Sequence, residues 1–473
     1  MTKGSIIVVR ALPGLGDFLC AVPALRALRQ SRPESHIALL GAPGTEKYVA
    51  RFPHYIDEFI PAPPFPGVWM PPGAETHSLP AFLTAIHQRR FDLALQMHGS
   101  GLTSNALTLL LEAQRTAGFY PRRGWRPPAP HRFFLYPETE PEIRRNLLLL
   151  EQLDLPSAGE DLELPLFSSD HAELESLAVK LPDGYVCLHP GAKAASRRWP
   201  PERFAAVGDV LARHGFPVVL TGSADDAPVN AAVARLMRYP ALDLARPMGP
   251  GALALVLRGA RLLVANDTGV SHLAVALKLP SVVIFSAGDP QRWAPLDEAR
   301  HRSLFAPVDC RPCDHAVCPI GHPCANSIGV EEVTAAALDL LRRRVAPHPD
   351  WTAARRVLAV NASPPAAAHL ERTFESVAFV STPPPPEIQS SAFDAAIVFT
   401  GEHESPYSAA YQCYLARIPL RAGLTAEFGG GVLTDAVPPP SSHLSREERH
   451  MYLLEALGIA LPRTSSVPVR RSA

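Results

Sequence analysis

The chain opens on an unbroken apolar run, Ser5-Ile6-Ile7-Val8-Val9, which predicts a buried strand. After a Pro/Gly turn, Leu19, Val22, Leu25 and Leu28 recur at three-residue steps and predict a helix from about Asp17 to Gln30. A second strand is expected at His36–Leu40, a helix at Leu79–Arg90 and a strand over Phe91–Met97. Six prolines between positions 121 and 141 break the periodicity and predict a surface loop. Beyond it the alternation resumes. Strands are expected at Tyr185–His189, Pro217–Thr221, Leu262–Ala265 and Ser281–Phe285, with helices at Phe204–Arg213, Ser271–Leu277 and Val330–Arg344. Pro347 and Pro349 then mark a boundary. Alternation of this kind argues an α/β protein built on parallel, doubly wound sheets.

The tail echoes the start of the chain. Phe393–Gly401 lines up with Phe91–Gly99, Arg446–Pro462 with Glu142–Pro156, and Leu358–Asn361 is the counterpart of the first strand. The expected organisation is three domains, 1–165, 166–349 and 350–473, the last a degenerate partial copy of the first. Chance likeness between two α/β segments is the competing explanation. Pro364 and Pro365 fix φ and remove two N–H donors where the first domain has its glycine turn, so the tail is expected to be a packing or interaction module.

Composition narrows the functional classes. With 45 basic and 46 acidic residues in 473, the net charge of -1 argues against a nucleic-acid binder that relies on bulk charge, while leaving a local basic cleft open. Arg10 and Asp17 interrupt the only apolar stretch near the N-terminus, and no apolar run reaches the roughly 18 residues of a membrane span. A cytoplasmic protein is expected.

Three segments carry candidate chemistry. Leu12-Pro13-Gly14-Leu15-Gly16-Asp17 joins the first strand to its helix, but Leu19 stands where a dinucleotide fingerprint needs its third glycine, which disfavours NAD. Asp17 is either a helix cap or a carboxylate at a ligand loop. His189-Pro190-Gly191 with Arg197-Arg198-Trp199 offers a strand end, a turn and guanidinium forks suited to an anion, although such arginines are often only surface charges. Asn266-Asp267-Thr268-Gly269-Val270-Ser271-His272 sits at a strand-to-helix junction whose free N–H groups suit a diphosphate; a capped structural turn is the alternative, and His272 is equally readable as a core or surface histidine. Trp69 and Phe65, in a Pro-rich loop, are read as structural hydrophobes ahead of lipid or acceptor contacts.

Taken in order, these segments resemble glycosyltransferase family 9, the heptosyltransferases of lipopolysaccharide core assembly. The likeness runs from about residue 5 to 345 and rests on the Gly14–Pro23 opening, Phe91–Gly99, Gly222-Ser223, the Asn266–His272 block and Asp289-Pro290. It implies a GT-B architecture, two Rossmann-like domains across a cleft, the first receiving the acceptor and the second the nucleotide-sugar. It further implies inverting, metal-independent transfer of heptose from an ADP-sugar to a lipid-linked or oligosaccharide acceptor, with no cofactor and with contact to the inner face of the inner membrane. Asp17 matches the family's base. His189, Gly191, Arg197, Gly222, Asp267, Thr268, Gly269, Ser271 and His272 fall on the donor side, and Gly14, Gly16 and His98 on the acceptor side. Relatives commonly carry Lys where Arg197 stands, which keeps the charge and alters its geometry. Another nucleotide-sugar on the same scaffold, or a non-catalytic nucleotide-sugar binder, are the rival readings; the intact Asp17 and Asp267–Gly269 loop argue against the second.

Cys310, Cys313, Cys318 and Cys324, with His315 and His322 among them, have spacings that suit a structural zinc, an iron–sulfur cluster, or structural thiols. A catalytic metal is not expected.

Overall fold

The computed structural model describes residues 4–342, 351, 354–381, 393–402, 404–425, 432–437, 439, 444–457 and 459. The chain divides into two compact units, 1–342 and 343–473. Pro347 and Pro349 lie outside the described residues.

The first unit holds two six-stranded, all-parallel sheets. Strands β1 (Ser5–Arg10), β2 (His36–Gly41), β3 (Glu58–Pro61), β4 (Leu93–Gln96), β5 (Arg115–Tyr120) and β6 (Arg132–Leu135) are ordered β3-β2-β1-β4-β5-β6. Strands β7 (Val186–His189), β8 (Val218–Gly222), β9 (Ala241–Ala245), β10 (Leu263–Asn266), β11 (Ser281–Phe285) and β12 (His301–Phe305) are ordered β12-β11-β10-β7-β8-β9. Both are the doubly wound Rossmann order, in which ligands bind at the C-terminal strand ends where the winding reverses. Those points are the ends of β1 and β4 in one sheet and of β7 and β10 in the other.

The central strands β1, β7, β10 and β11 are buried on both faces, which explains their unbroken apolar runs. In β1, Ile6 and Val8 join a core that continues into the second sheet, while Ile7 and Val9 join a separate cluster on the other face. The shared core also takes in Phe18 and Leu19 of the first domain and Val270, Leu273 and Ala274 of the second, so apolar packing is continuous from one domain to the other.

Several expectations shift. The helix drawn from Asp17 to Gln30 is two helices, Leu15–Leu19 and Val22–Ser31. Pro23 causes the break, since its ring removes an N–H and crowds the carbonyl one turn earlier. The Pro-rich 121–141 stretch is not all loop: Arg132–Leu135 forms the edge strand β6, an edge being where a proline-rich neighbourhood costs least. Strands β3, β5, β9 and β12 carry too many polar or small residues to stand out by periodicity. Phe65 and Trp69 pair through a backbone bridge and pack on the outer core cluster, as structural hydrophobes.

The second unit contains β13 (Arg356–Val360), β14 (Ser376–Val380), β15 (Ala395–Val398), β16 (Leu420–Leu424) and β17 (Asp435–Val437), all parallel and ordered β14-β13-β15-β16-β17. This is the order β2-β1-β4-β5-β6 of the first sheet. Local details recur too. Asp92 accepts from Ser5 N at 2.6 Å, and Asp394 accepts from Arg355 N and Arg356 N at 3.0 and 2.9 Å, each aspartate fastening the start of the sheet's first strand. Helix Arg446–Ala456 packs on helix Pro364–Thr373, as helix Glu142–Glu151 packs on Val22–Ser31. Among the described residues the unit thus shares the strand order of the first sheet, with no strand in the place of β3.

Candidate active site

The loop after β1 leads into helix Leu15–Leu19, and the loop after β10 into helix Gly269–Ala276; these two helices pack against each other. The approach is close because both are glycine-bearing at the contact. A Cβ on Gly16 would lie 3.2 Å from Gly269 Cα and would collide with His272, and one on Gly269 would lie 3.2 Å from Gly16 N. The seam therefore brings Asp17 of one domain near Asp267 of the other, and the Asp17 carboxylate disfavours ionisation of Asp267.

Asp17 stands in the first turn of its helix, whose N-cap is Gly14, and no side chain caps that helix. The capping role is thus not what Asp17 does. Burial raises its pKa, opposed by the charge of Arg10 and, more weakly, of Arg292 and Arg197, while Glu142 adds to the rise. Arg10, at the end of β1 and 4% exposed, donates through Nη2 and Nε to the carbonyl oxygen of Asp17 at 2.6 and 3.1 Å. Its Nη1 reaches Met97 O at 2.6 Å, tying the Asp17 loop to the end of β4. His98, one residue on, accepts from Ala11 N through Nδ1 at 3.1 Å; burial, with Arg10 assisting, pushes its pKa down to about 4, so it is neutral at pH 7.

Across the seam, Asp267 is 3% exposed and pushed up to about 6 by burial, with Arg197 opposing and Asp17 and Asp289 adding to the shift. Arg197 Nη1 lies 3.8 Å from Asp267 Oδ2. That oxygen and Thr268 Oγ1 are buried without a hydrogen-bond partner among the described residues. No side chain caps helix Gly269–Ala276, so the capped-turn alternative does not hold. Ser271 donates its hydroxyl back to Thr268 O at 2.7 Å. His272 turns into the seam, with Nδ1 3.5 Å from Cys20 Sγ and its ring edge-on to Trp293. Burial lowers its pKa to about 4.

His189, Gly191 and Gly222 gather at the ends of β7 and β8. His189 Nδ1 is 3.0 Å from Thr221 Oγ1, and Asp226, held by Ser223 N at 2.9 Å, sits over Gly191. Asn266 fastens this group to the Asp267 loop: its Nδ2 donates to Pro190 O at 2.8 Å and its Oδ1 accepts from Trp199 N at 2.9 Å. Arg198 is not a free surface charge, since its Nε donates to Ala192 O at 2.8 Å and closes the same turn.

The cysteine segment buttresses Arg197. Ser196 N donates to Ala316 O at 3.1 Å, Ser196 Oγ donates to His315 O, and His322 Nε2 lies 2.6 Å from Ser196 O. All four cysteines are free thiols. Burial raises the Cys324 thiol, and Cys310, Cys318 and Cys313 add to the rise. Among the described residues no group of three or more His, Cys, Asp or Glu side chains is arranged to hold a metal ion.

Sequence reasoning missed Arg10, Glu142 and Arg292 as parts of the site, and held Asn266 only as the first letter of its segment. Arg10 had a visible signal, a charge ending an apolar strand. Glu142 had none, because 125 residues separate it from Asp17.

Two Rossmann-like domains with their switch points turned toward one seam, a carboxylate on one side and an open helix N-terminus with a flanking arginine on the other, define a GT-B glycosyltransferase. The family model for glycosyltransferase family 9 (heptosyltransferase) matches residues 80–323, more than half of the chain. The chain belongs to this family. It is 25% identical over 295 residues to lipopolysaccharide heptosyltransferase 3 of Escherichia coli (strain K12), an alignment covering 60% of this chain and 83% of that enzyme. Among solved structures it resembles the glycosyl transferase family 9 protein of Veillonella parvula DSM 2008, with a TM-score of 0.59 at 22% identity over 72% of this chain and 98% of that one. It also resembles E. coli ADP-heptose lps heptosyltransferase II, with a TM-score of 0.56 at 19% identity over 71% and 98%.

Proposed function

We propose that the protein transfers a heptose from ADP-heptose to a hydroxyl of a lipopolysaccharide-core or related glycan acceptor, with inversion at the anomeric carbon and without a metal. The observation that carries this reading is the seam itself, where Asp17 faces the Asp267–Gly269 loop across two backbones in contact. In the proposed reaction the acceptor hydroxyl lies against Asp17, whose carboxylate takes the proton as the oxygen attacks the anomeric carbon. A base of raised pKa does this work well near neutral pH and contributes about 10²–10⁴-fold. The bond to the diphosphate breaks on the opposite face. Its developing charge is met by Arg197 and by the N–H groups opening helix Gly269–Ala276. Arg197 supplies a forked donor where many relatives have a point charge, and Ser196, gripped by the cysteine segment, holds it in place.

On the acceptor side, Gly14, Gly16 and His98 border the entrance, and neutral His98 offers one ring nitrogen to a sugar hydroxyl. On the donor side, His189, Gly191 and Gly222 flank the far end of the diphosphate loop. The acceptor is a lipid-linked or free oligosaccharide, reached from the cytoplasm at the inner face of the inner membrane; among the described residues no helix is long and apolar enough to cross a membrane.

A thermal-shift screen with ADP-, UDP- and GDP-sugars, followed by NMR of the product's anomeric proton, tests this reading. A ligand at 100 times its Kd adds about 2.7 kcal/mol, enough to rank the nucleotides. Stabilisation by ADP-heptose and an inverted linkage in the product are expected. A preference for another nucleotide overturns the donor, a retained configuration overturns the mechanism, and binding without transfer to any acceptor overturns catalysis.

A further inference from the structure

We infer that Glu142 is a positioning residue for the reaction proposed above, linking the loop that carries Asp17 to the donor-side domain through Arg10 and Arg292. The inference rests on that reading for its catalytic consequence and on geometry alone for the link. Glu142 opens helix Glu142–Glu151 of the first domain and is 3% exposed. Its two carboxylate oxygens accept hydrogen bonds from guanidiniums of two different domains, and Arg145, one turn on in the same helix, lies 3.7 Å from Oε2. Oε1 accepts from Arg10 Nη2 at 3.2 Å, and Oε2 accepts from Arg292 Nε at 2.9 Å. Arg10 spends its remaining donors on Asp17 O, Met97 O and Asn146 Oδ1, so the carboxylate fixes the arginine that fixes the base loop.

Arg292 comes from the other side of the seam. It lies on the short helix Pro290–Trp293, which Asp289 caps by accepting from Gln291 N at 3.0 Å. Its guanidinium lies 4.6 Å from the centre of the Trp293 ring, and Trp293 in turn meets His272. The contact from Arg292 to Glu142 therefore joins the donor-side helices to the first domain and also sets a positive charge near Asp17. The charged groups facing Asp17 are Arg10, Arg292 and Arg197, which favour its ionised form, Glu142, which opposes it, and across the seam Asp267, whose own pKa Asp17 raises. Buried charge triads are seldom the most stable filling for a core, and packed apolar residues often do as well. What this triad supplies, and an apolar filling would not, is a fixed direction for Arg10 and a fixed charge beside the base.

The test uses the full chain with Glu142→Gln, Arg292→Gln, Arg292→Lys and the double Gln variant, with kinetics, pH profiles and hydrogen exchange. Misplacing reacting groups by about 1 Å costs up to about 100-fold, so Glu142→Gln should lower kcat by about 10- to 100-fold with little change in donor KM. Arg292→Gln should lower kcat less, the double variant should be no worse than Glu142→Gln, and Arg292→Lys should recover most of the loss. The acid limb of kcat/KM should move to higher pH in Arg292→Gln and to lower pH in Glu142→Gln, because one variant removes a positive and the other a negative neighbour of Asp17. Backbone exchange across residues 12–19 and 290–293 should quicken in Glu142→Gln. Additive losses in the double variant, an acid limb that does not move in Arg292→Gln, or unchanged exchange in both segments would overturn the inference. If Glu142→Gln does not fold, the two Arg292 variants decide it, since that side chain is 30% exposed. The exchange readout needs no turnover, so a chain that transfers no heptose refutes the proposed function while leaving the link testable.

Discussion

Replacing Asp267 by Asn should make the protein more stable while it loses activity. Asp267 is 3% exposed, and Oδ2 has no hydrogen-bond partner among the described residues. Burial, reinforced by Asp17 and Asp289 against the opposing charge of Arg197, pushes its carboxyl from 3.8 to about 6. A carboxyl that holds its proton more tightly folded than unfolded favours the fold below the unfolded value, and that advantage is lost as the pH rises through the folded value. The window therefore runs from 3.8 to about 6. At about 1.36 kcal/mol per pH unit, the wild-type chain loses about 3 kcal/mol across it. Asparagine, close in shape to the protonated acid, loses none of this.

The assay is denaturant unfolding of both chains at several values between about pH 4 and pH 8, reading the difference between them. His98, His189 and His272, all held near 4 by burial, titrate in both chains and cancel in that difference. The Asn variant should match wild type at the acid end and exceed it by about 3 kcal/mol above pH 7. Its kcat/KM with ADP-heptose should fall, because the group that faces Arg197 has changed. A stability difference that ignores pH, or an Asn variant weaker than wild type at neutral pH, would mean the carboxylate is well paired and structural.

Gly269→Val should hurt the seam as well as the donor. Its first side-chain carbon would already sit 3.2 Å from Gly16 N, and overpacking of this kind costs about 1–3 kcal/mol; calorimetry with ADP and a melting curve should both register it, and unchanged values in a folded variant would remove the close approach from the account. Arg197→Ala should weaken ADP binding more than it lowers Tm, because Arg197 is partly exposed and its ion pair with Asp267, at 3.8 Å, is long; equal ADP affinity by calorimetry would exclude it from the diphosphate site. Deleting residues 351–473 should leave ADP affinity intact while lowering solubility or stability, and loss of ADP binding in a folded truncation would show that the tail contributes to the cleft.

The fold was readable because both sheets are covered on two faces, so β1, β7, β10 and β11 appear as plain apolar runs. Edge strands were not. Arg132–Leu135 and His301–Phe305 bury only part of their length, and their composition blends into the loops around them. The three loops of the site announced themselves because close backbone approach demands glycine and helix starts favour Ser, Thr and Asp. What escaped is the support beneath them. Asn266 was visible only as a motif letter, although its side chain ties three loops together, and the Arg10–Glu142–Arg292 link joins residues with no common segment. Such ties depend on which strand ends meet in space, and no local pattern records that. The cysteine spacing gave no hint of one thing the segment does, which is to hold Ser196, the neighbour of Arg197, by hydrogen bonds.

The central claim is that Asp17 takes the acceptor's proton across the seam from the donor loop, and Asp17→Asn tests it most directly. The substitution keeps size and the backbone clamp from Arg10, which grips a carbonyl and not the side chain. Single-turnover transfer from ADP-heptose, measured beside ADP affinity and a melting curve, should fall by at least about a hundredfold with binding unchanged and the fold no less stable, since burial raises the Asp17 carboxyl too. Near-wild-type turnover in a folded, ADP-binding Asn variant would remove Asp17 from the mechanism.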